Sequence, residues 1–216
     1  MNAQSQPSRR LVVTGGALHP PVALRTSAQV DALQRGPLTG STGEILGDDG
    51  SALAPVVANH MWNSLLWEQE DQARRADASD AEIVANKRAI DRYNQRRNDA
   101  VEAIDERLLA SSEPLCPGAW INSETAGSVI DRLSINALKL HHMRLQAERD
   151  DVSADHQERC RAKLECLQAQ RSDLLQCLQR LLDGLRDGTC GFRLYRQFKM
   201  YNDPSLNPYL YGNGKH

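Results

Sequence analysis

Aromatic residues are scarce in this chain, only 5% of 216, so a core built mainly on packed rings is excluded. Cysteine is equally uninformative. Cys116, Cys160, Cys166, Cys177 and Cys190 are odd in number and contain no C-x-x-C pair, which excludes a disulfide framework. On one helix Cys160 and Cys166 would point about 120° apart, so they cannot close on a zinc ion, and no cofactor is expected. There is no basic excess. Lys+Arg of 26 against Asp+Glu of 28 leaves a formal charge of -2, too little to neutralise a phosphate backbone, so nucleic acid is not an expected partner. Long apolar runs are missing too. Leu11 to Leu18 follows Arg9-Arg10 but is broken by Thr14 and Gly15-Gly16 and stopped by His19-Pro20-Pro21. Neither a signal peptide nor a membrane span is expected there, and the expected location is the cytoplasm.

What is present is helix-forming residues in long stretches. Residues 1–50 carry the breakers, Gly36-Pro37, Gly40-Ser41-Thr42-Gly43 and Asp48-Asp49-Gly50, and read as a mobile or loosely packed arm in which only Ser27 to Arg35 looks helical. From Pro55 onward Leu, Ala, Glu, Arg and Gln dominate. One helix is expected from Pro55 to Arg75, and a second from the capping box Ser79-Asp80-Ala81-Glu82 to Ala110. Ser111 to Ile121, with Pro114 and Pro117-Gly118, reads as a linker. A third helix should start near Ser123 or Thr125 and end near Asp150, and a fourth should run from Ser153 to Gly188. The expected fold is all-α, two long antiparallel helical hairpins forming a four-helix bundle over residues 51–190. The tail, 191–216, gathers Phe192, Tyr195, Phe198, Tyr201, Tyr209 and Tyr211 and is expected to pack on the bundle. Cys160, Leu164, Leu167, Arg171, Leu174, Leu178, Leu181 and Leu185 alternate steps of four and three, the seam of a bundle or coiled coil. At about 50 Å this helix exceeds the needs of a compact bundle, and the excess points to a second subunit or to the tail.

The candidate site residues lie on these helices. On the first, Ala58, Trp62, Leu65, Leu66 and Ala73 form an apolar face, and His60, Asn63, Trp67, Glu70, Asp71 and Arg74 run beside it. On the second, Asn86 and Arg97 interrupt the stripe Ile83, Ile90, Val101, Ile104, Leu108, with Asn94 at its edge. In a hairpin turning near Asp77-Ala78, residues whose numbers add to about 155 share a level, which places His60 opposite Asn94 and Arg97. Buried polar groups need partners, so a hydrogen-bonded network is expected between these helices, either fixing register or lining a pocket. Glu124, Thr125, Ala126, Gly127 and Ser128 open the third helix, either as a cap with close packing or as an anion site on free N–H groups. Asp131 and Arg132 follow. A pairing sum of about 303 between the third and fourth helices sets Arg171 against Asp131, and an ion pair is expected there. His141 and His142 point about 100° apart, which is no ready-made metal site.

Asn59-His60, Leu66-Trp67-Glu68-Gln69-Glu70-Asp71-Gln72-Ala73-Arg74, Ile90-Asp91-Arg92-Tyr93-Asn94-Gln95-Arg96-Arg97-Asn98-Asp99, Asn122-Ser123-Glu124-Thr125-Ala126-Gly127 and Ile130-Asp131-Arg132-Leu133-Ser134-Ile135 together resemble the bacterial domain-of-unknown-function 4254 family. Phe198-Lys199-Met200-Tyr201-Asn202-Asp203-Pro204 and Leu206-Asn207-Pro208 fit it as well. The family commonly has Pro where Ala126 stands. Its members tend to be encoded beside glycosyltransferases of lipopolysaccharide or other surface-polysaccharide synthesis, so the resemblance implies a non-catalytic accessory or binding protein with a glycosyltransferase or another protein as partner. The residues keep one enzyme alternative open, a metal-dependent hydrolase of a nucleotide or phosphorylated sugar with MazG-like chemistry. Glu68, Glu70 and Asp71 with Glu102 and Asp105 superficially resemble its acidic set. By register, however, Glu102 lies some four or five turns from Glu70, so only an antiparallel dimer could unite them.

Overall fold

The computed structural model describes residues 24–35, 51–196, 200 and 203–211. It is mostly helical. In chain order the elements are α1 (Ser27–Leu33), α2 (Leu53–Gln72), α3 (Asp80–Ala110), β1 (Trp120–Asn122), α4 (Ala126–Ala147), α5 (Ala154–Asp187), β2 (Cys190–Phe192) and α6 (Pro208–Tyr211).

The long helices start and stop on local chemistry. Ser79 and Glu82 form the reciprocal capping box of α3, and the bonds Glu82 accepts from Ser79, helped by Arg75, hold its carboxyl down at about 2. Thr125 caps α4, accepting from the Ser128 N–H. That puts Ala126 at the first helical position, where proline is favoured because the N–H has no partner in any case. Ser153 caps α5, which ends at Gly188 with φ 69°. Only glycine suits this left-handed end, and an added Cβ would meet the Pro114 carbonyl at 2.5 Å.

Residues 111–121 are more than a linker. The Cys116 N–H donates to the Gly188 carbonyl at 2.8 Å, and β1 pairs in parallel with β2, Trp120 opposite Cys190 and Asn122 opposite Phe192. Three-residue strands carry almost no periodic signal, which is why the ribbon is invisible in the sequence.

Two contacts lie at the expected levels. Trp62 stacks on Tyr93 with centroids 5.6 Å apart, and the Asn136 amide donates to the Leu167 carbonyl at 3.1 Å. Val30, Val56, Ile104, Ile130, Leu133 and Leu178 are fully buried in one cluster drawn from α1 to α5, each worth about 1.5–3 kcal/mol. The leucine seam of α5 divides. Leu178, Leu181 and Leu185 are buried, whereas Leu164, Leu167 and Leu174 are only partly covered. On α3, Ile83 stays exposed, level with the last residue of α2.

The arm expectation is corrected for α1. Val30 is in the core, and the buried Gln34 amide donates to the Ile130 carbonyl at 3.1 Å. The rest of 1–50, apart from Leu24 to Thr26 and Arg35, lies outside the described residues. In the tail Phe192 is buried while Tyr195 and Tyr209 are exposed. Phe198 and Tyr201 lie outside the described residues.

The Arg171–Asp131 pair is also corrected. Arg171 donates to Asp31 of α1 at 2.8 Å and to the Leu133 carbonyl at 2.9 Å. The level on α4 was right, but Asp131 points round the helix toward α2, and α1 supplies the carboxylate. Asp31→Asn should therefore raise amide hydrogen exchange in α1 about five- to tenfold, roughly 1–1.5 kcal/mol of local stability. Exchange unchanged across α1 would mean that hydrophobic packing alone holds it.

Candidate functional site

The polar residues of α2 fall into a closed lower half and an open upper half. In the lower half Asn59, His60, Asn63 and Ser64 are buried. Asp131 is the hub, its Oδ1 accepting from Asn59 Nδ2 at 2.8 Å and Asn63 Nδ2 at 2.9 Å. His60 Nδ1 is bonded to Ser134 Oγ at 2.8 Å, and Asn63 Nδ2 also reaches that hydroxyl at 3.0 Å. The network expected between the first two long helices thus runs mainly from α2 to α4. Neither Asn59 nor Ser134 stood among the candidate site residues. The Asn59/Asn63 spacing of one helical turn, facing Asp131 and Ser134 at a similar interval, is the signal that could have found them.

Above this network a cavity of about 360 Å³ opens between α2, α3 and α4, lined by Asn63, Trp67, Glu70, Asp71, Arg74, Asn94 and Arg97 over Leu66, Ile135 and Leu138. Seven of the candidate residues therefore line one cavity. Glu70 and Arg74 pair at 2.5 Å on its exposed rim. Trp67 stacks on His142 at 4.4 Å with the rings 3° from parallel. Burial, and then the neighbouring His141, lower the His142 pKa, with Asp71 partly opposing, so the ring presents a neutral face to the indole. Arg97 approaches Asp131 only to 3.8 Å. Its Nε and the Trp67 Nε1 are buried donors without a hydrogen-bond acceptor among the described residues.

The remaining candidates lie elsewhere. Glu124 and Arg132 pair with each other at 2.9 Å beside a different cavity, of about 610 Å³, between α4 and α5. Thr125 is the α4 cap. The free N–H groups there are met from within, because Asp105 accepts from the Gly127 N–H at 2.6 Å. An added Cβ on Gly127 would sit 2.6 Å from the Val101 carbonyl oxygen and 2.8 Å from the Asp105 carboxylate. Cap, close packing and anion site are therefore one feature, and the anion is the chain's own. Burial raises the Asp105 pKa to about 6 against the opposing bonds from Thr125 and Gly127. Glu102 instead accepts from Arg196 at 2.8 Å, so these two carboxylates and those of α2 serve separate neighbourhoods. Among the described residues no group of three or more His, Cys, Asp or Glu could hold a metal ion, all five cysteines are free, and no helix is long and apolar enough to cross a membrane.

The profile of the family described as "Protein of unknown function (DUF4254)" matches residues 54–194. No curated protein and no solved structure matches the chain.

Proposed function

The chain belongs to the DUF4254 family, and we propose that it is a non-catalytic binding protein whose cleft between α2, α3 and α4 takes a sugar, free or as the end of a nucleotide-sugar. In this reading it acts as a cytoplasmic accessory to a bacterial surface-polysaccharide glycosyltransferase, with that enzyme as its partner. The α2–α3 and α4–α5 pairs are then antiparallel hairpins of a four-helix bundle, and the half-covered seam of α5 is where a second subunit or the partner enzyme would lie.

The observation that carries the proposal is the pair of buried donors on two residues that line one cleft, Trp67 Nε1 and Arg97 Nε, neither with an acceptor among the described residues. Each unmet donor costs about 1–3 kcal/mol, which a ligand oxygen would recover. The rest of the wall suits hydroxyl-rich molecules. Glu70 and Asp71 accept, Asn94 can both donate and accept, and Arg74 with Arg97 balances the two carboxylates. The buried lower half fixes the helices that carry these groups, as a binding site requires.

Thermal unfolding with UDP-glucose, with and without Mg²⁺, tests this. At a hundred times Kd the wild type should gain about 2.7 kcal/mol. Arg97→Gln and Trp67→Phe should abolish the gain, while Glu70→Gln and Asp71→Asn should leave the unliganded stability within about 0.5 kcal/mol. No response to UDP-glucose or to free glucose would remove the proposal. Mg²⁺-dependent release of UMP or phosphate would replace it with the metal-dependent hydrolase.

A further inference from the structure

A third cavity, independent of the sugar cleft, lies on the opposite side of α4. It has a volume of about 440 Å³ and is walled by α1, α4 and α5, within the usual size for a small-molecule site. Three guanidinium groups, Arg35, Arg144 and Arg171, line it together with His141, against one carboxylate among the described residues, that of Asp31. In a chain of net charge -2 this is a local concentration of positive charge. Asp31 is already engaged, 2.8 Å from Arg171 and 3.6 Å from Arg35. The Arg144 side chain has no ion pair or hydrogen bond among the described residues.

One lining residue also carries a buried acceptor that has no donor among the described residues. Gln34 is 1% exposed, and its Nε2 donates to the Ile130 carbonyl at 3.1 Å. That bond fixes which way the amide faces. Its Oε1 is buried with no partner among the described residues, although Gln34 lines a cavity rich in arginine. An anion alone would satisfy Arg144 and leave Oε1 unmet. A hydroxyl alone would do the reverse. We infer that this cavity binds a phosphorylated small molecule that carries a hydroxyl near its phosphate, the phosphate facing Arg144, Arg35 and His141 and the hydroxyl donating to Gln34 Oε1. Arginine suits phosphate because its fork of donors matches two oxygens at once.

Isothermal titration of the full chain with glycerol 3-phosphate and with sulfate, an anion that has no hydroxyl to donate, separates the two halves of the site. Both should bind, glycerol 3-phosphate about tenfold tighter, the ratio one buried hydrogen bond supplies. Arg144→Gln, an exposed position that should not disturb folding, should weaken both by about tenfold. Gln34→Met, which keeps the side-chain volume, should bring glycerol 3-phosphate down to the level of sulfate and leave sulfate unchanged. Arg159→Gln, remote on the outer face of α5, should change neither. The inference is overturned if the wild type binds neither anion, if Arg144→Gln binds both as well as the wild type, if Gln34→Met weakens both equally, or if Arg159→Gln weakens them as much as Arg144→Gln does.

Discussion

Asp131→Ala is expected to destabilise the protein by about 3–4 kcal/mol, which for a chain of this size lowers Tm by roughly 10 °C. The carboxylate accepts from the amides of Asn59 and Asn63, which are 0% and 4% exposed, and neither amide can turn to water when it is removed. Arg97, held 3.8 Å away with its side chain 27% exposed, loses its counter-charge at the same time. Two orphaned donors at about 1–3 kcal/mol each account for most of the loss. Asn63 keeps the Ser134 hydroxyl at 3.0 Å, which moderates it. Asp131→Asn preserves one acceptor oxygen and the shape, so it should lose only about 1–2 kcal/mol. Urea unfolding at pH 7 measures both. An alanine variant within 1 kcal/mol of the wild type would mean that water replaces the carboxylate and that the network does not fix the helices.

The ordering of these two variants bears on the cleft above them. Asn63 belongs to both the network and the cleft wall, and Arg97, also on that wall, faces Asp131 as well. A change at Asp131 should therefore weaken ligand binding even though Asp131 lines no part of the cavity. Glu70 and Arg74, paired on the exposed rim, are expected to contribute little to stability, because an exposed i,i+4 pair is worth only a few tenths of a kcal/mol.

How much of this is legible in the sequence follows from the range of each interaction. Helix ends at Ser79, Thr125, Ser153 and Gly188 are written in the few residues around them, and they stand where the capping chemistry puts them. Levels between paired helices follow from short connections, as the Trp62–Tyr93 stack shows. Direction round the helix axis does not follow. Counting 100° per residue identifies a polar face, but which neighbour meets it depends on how four helices close. For that reason Asp131, level with Arg171 in the sequence, serves Asn59 and Asn63 instead. A seven-residue helix beside Gly-Pro-rich chain looks independent in the sequence, and only the tertiary contacts of Val30, Gln34 and Asp31 dock α1. Gly127 stands out in the sequence, yet the partner that requires it, Asp105, lies twenty-two positions away on α3.

That partner makes stability depend on pH in a direction opposite to the usual acid behaviour of a carboxylate. Asp105 is 2% exposed, and burial, with the nearby charge of Glu102, lifts its pKa to about 6 from an ordinary 3.8, outweighing the bonds from the Thr125 hydroxyl and the Gly127 N–H. Between those two values the folded protein holds a proton that the unfolded chain has released. Stability therefore falls as pH rises from 3.8 to 6, and is flat in this group's contribution above that window. A shift of about two pKa units corresponds to at most about 3 kcal/mol. Other carboxylates bend the total curve the other way, among them Glu82, held at about 2, so the wild-type profile alone is not diagnostic. The difference between wild type and Asp105→Asn isolates the group. The asparagine keeps an oxygen for the Gly127 N–H, cannot ionise, and should mimic the protonated acid. Urea unfolding at half-unit steps from pH 4 to pH 7.5 should show the two proteins close at pH 4, with the wild type losing about 2–3 kcal/mol relative to the variant by pH 7. Parallel profiles, or a wild type that gains on the variant as pH rises, would mean that the helix N-terminus stabilises the charged carboxylate more than burial penalises it.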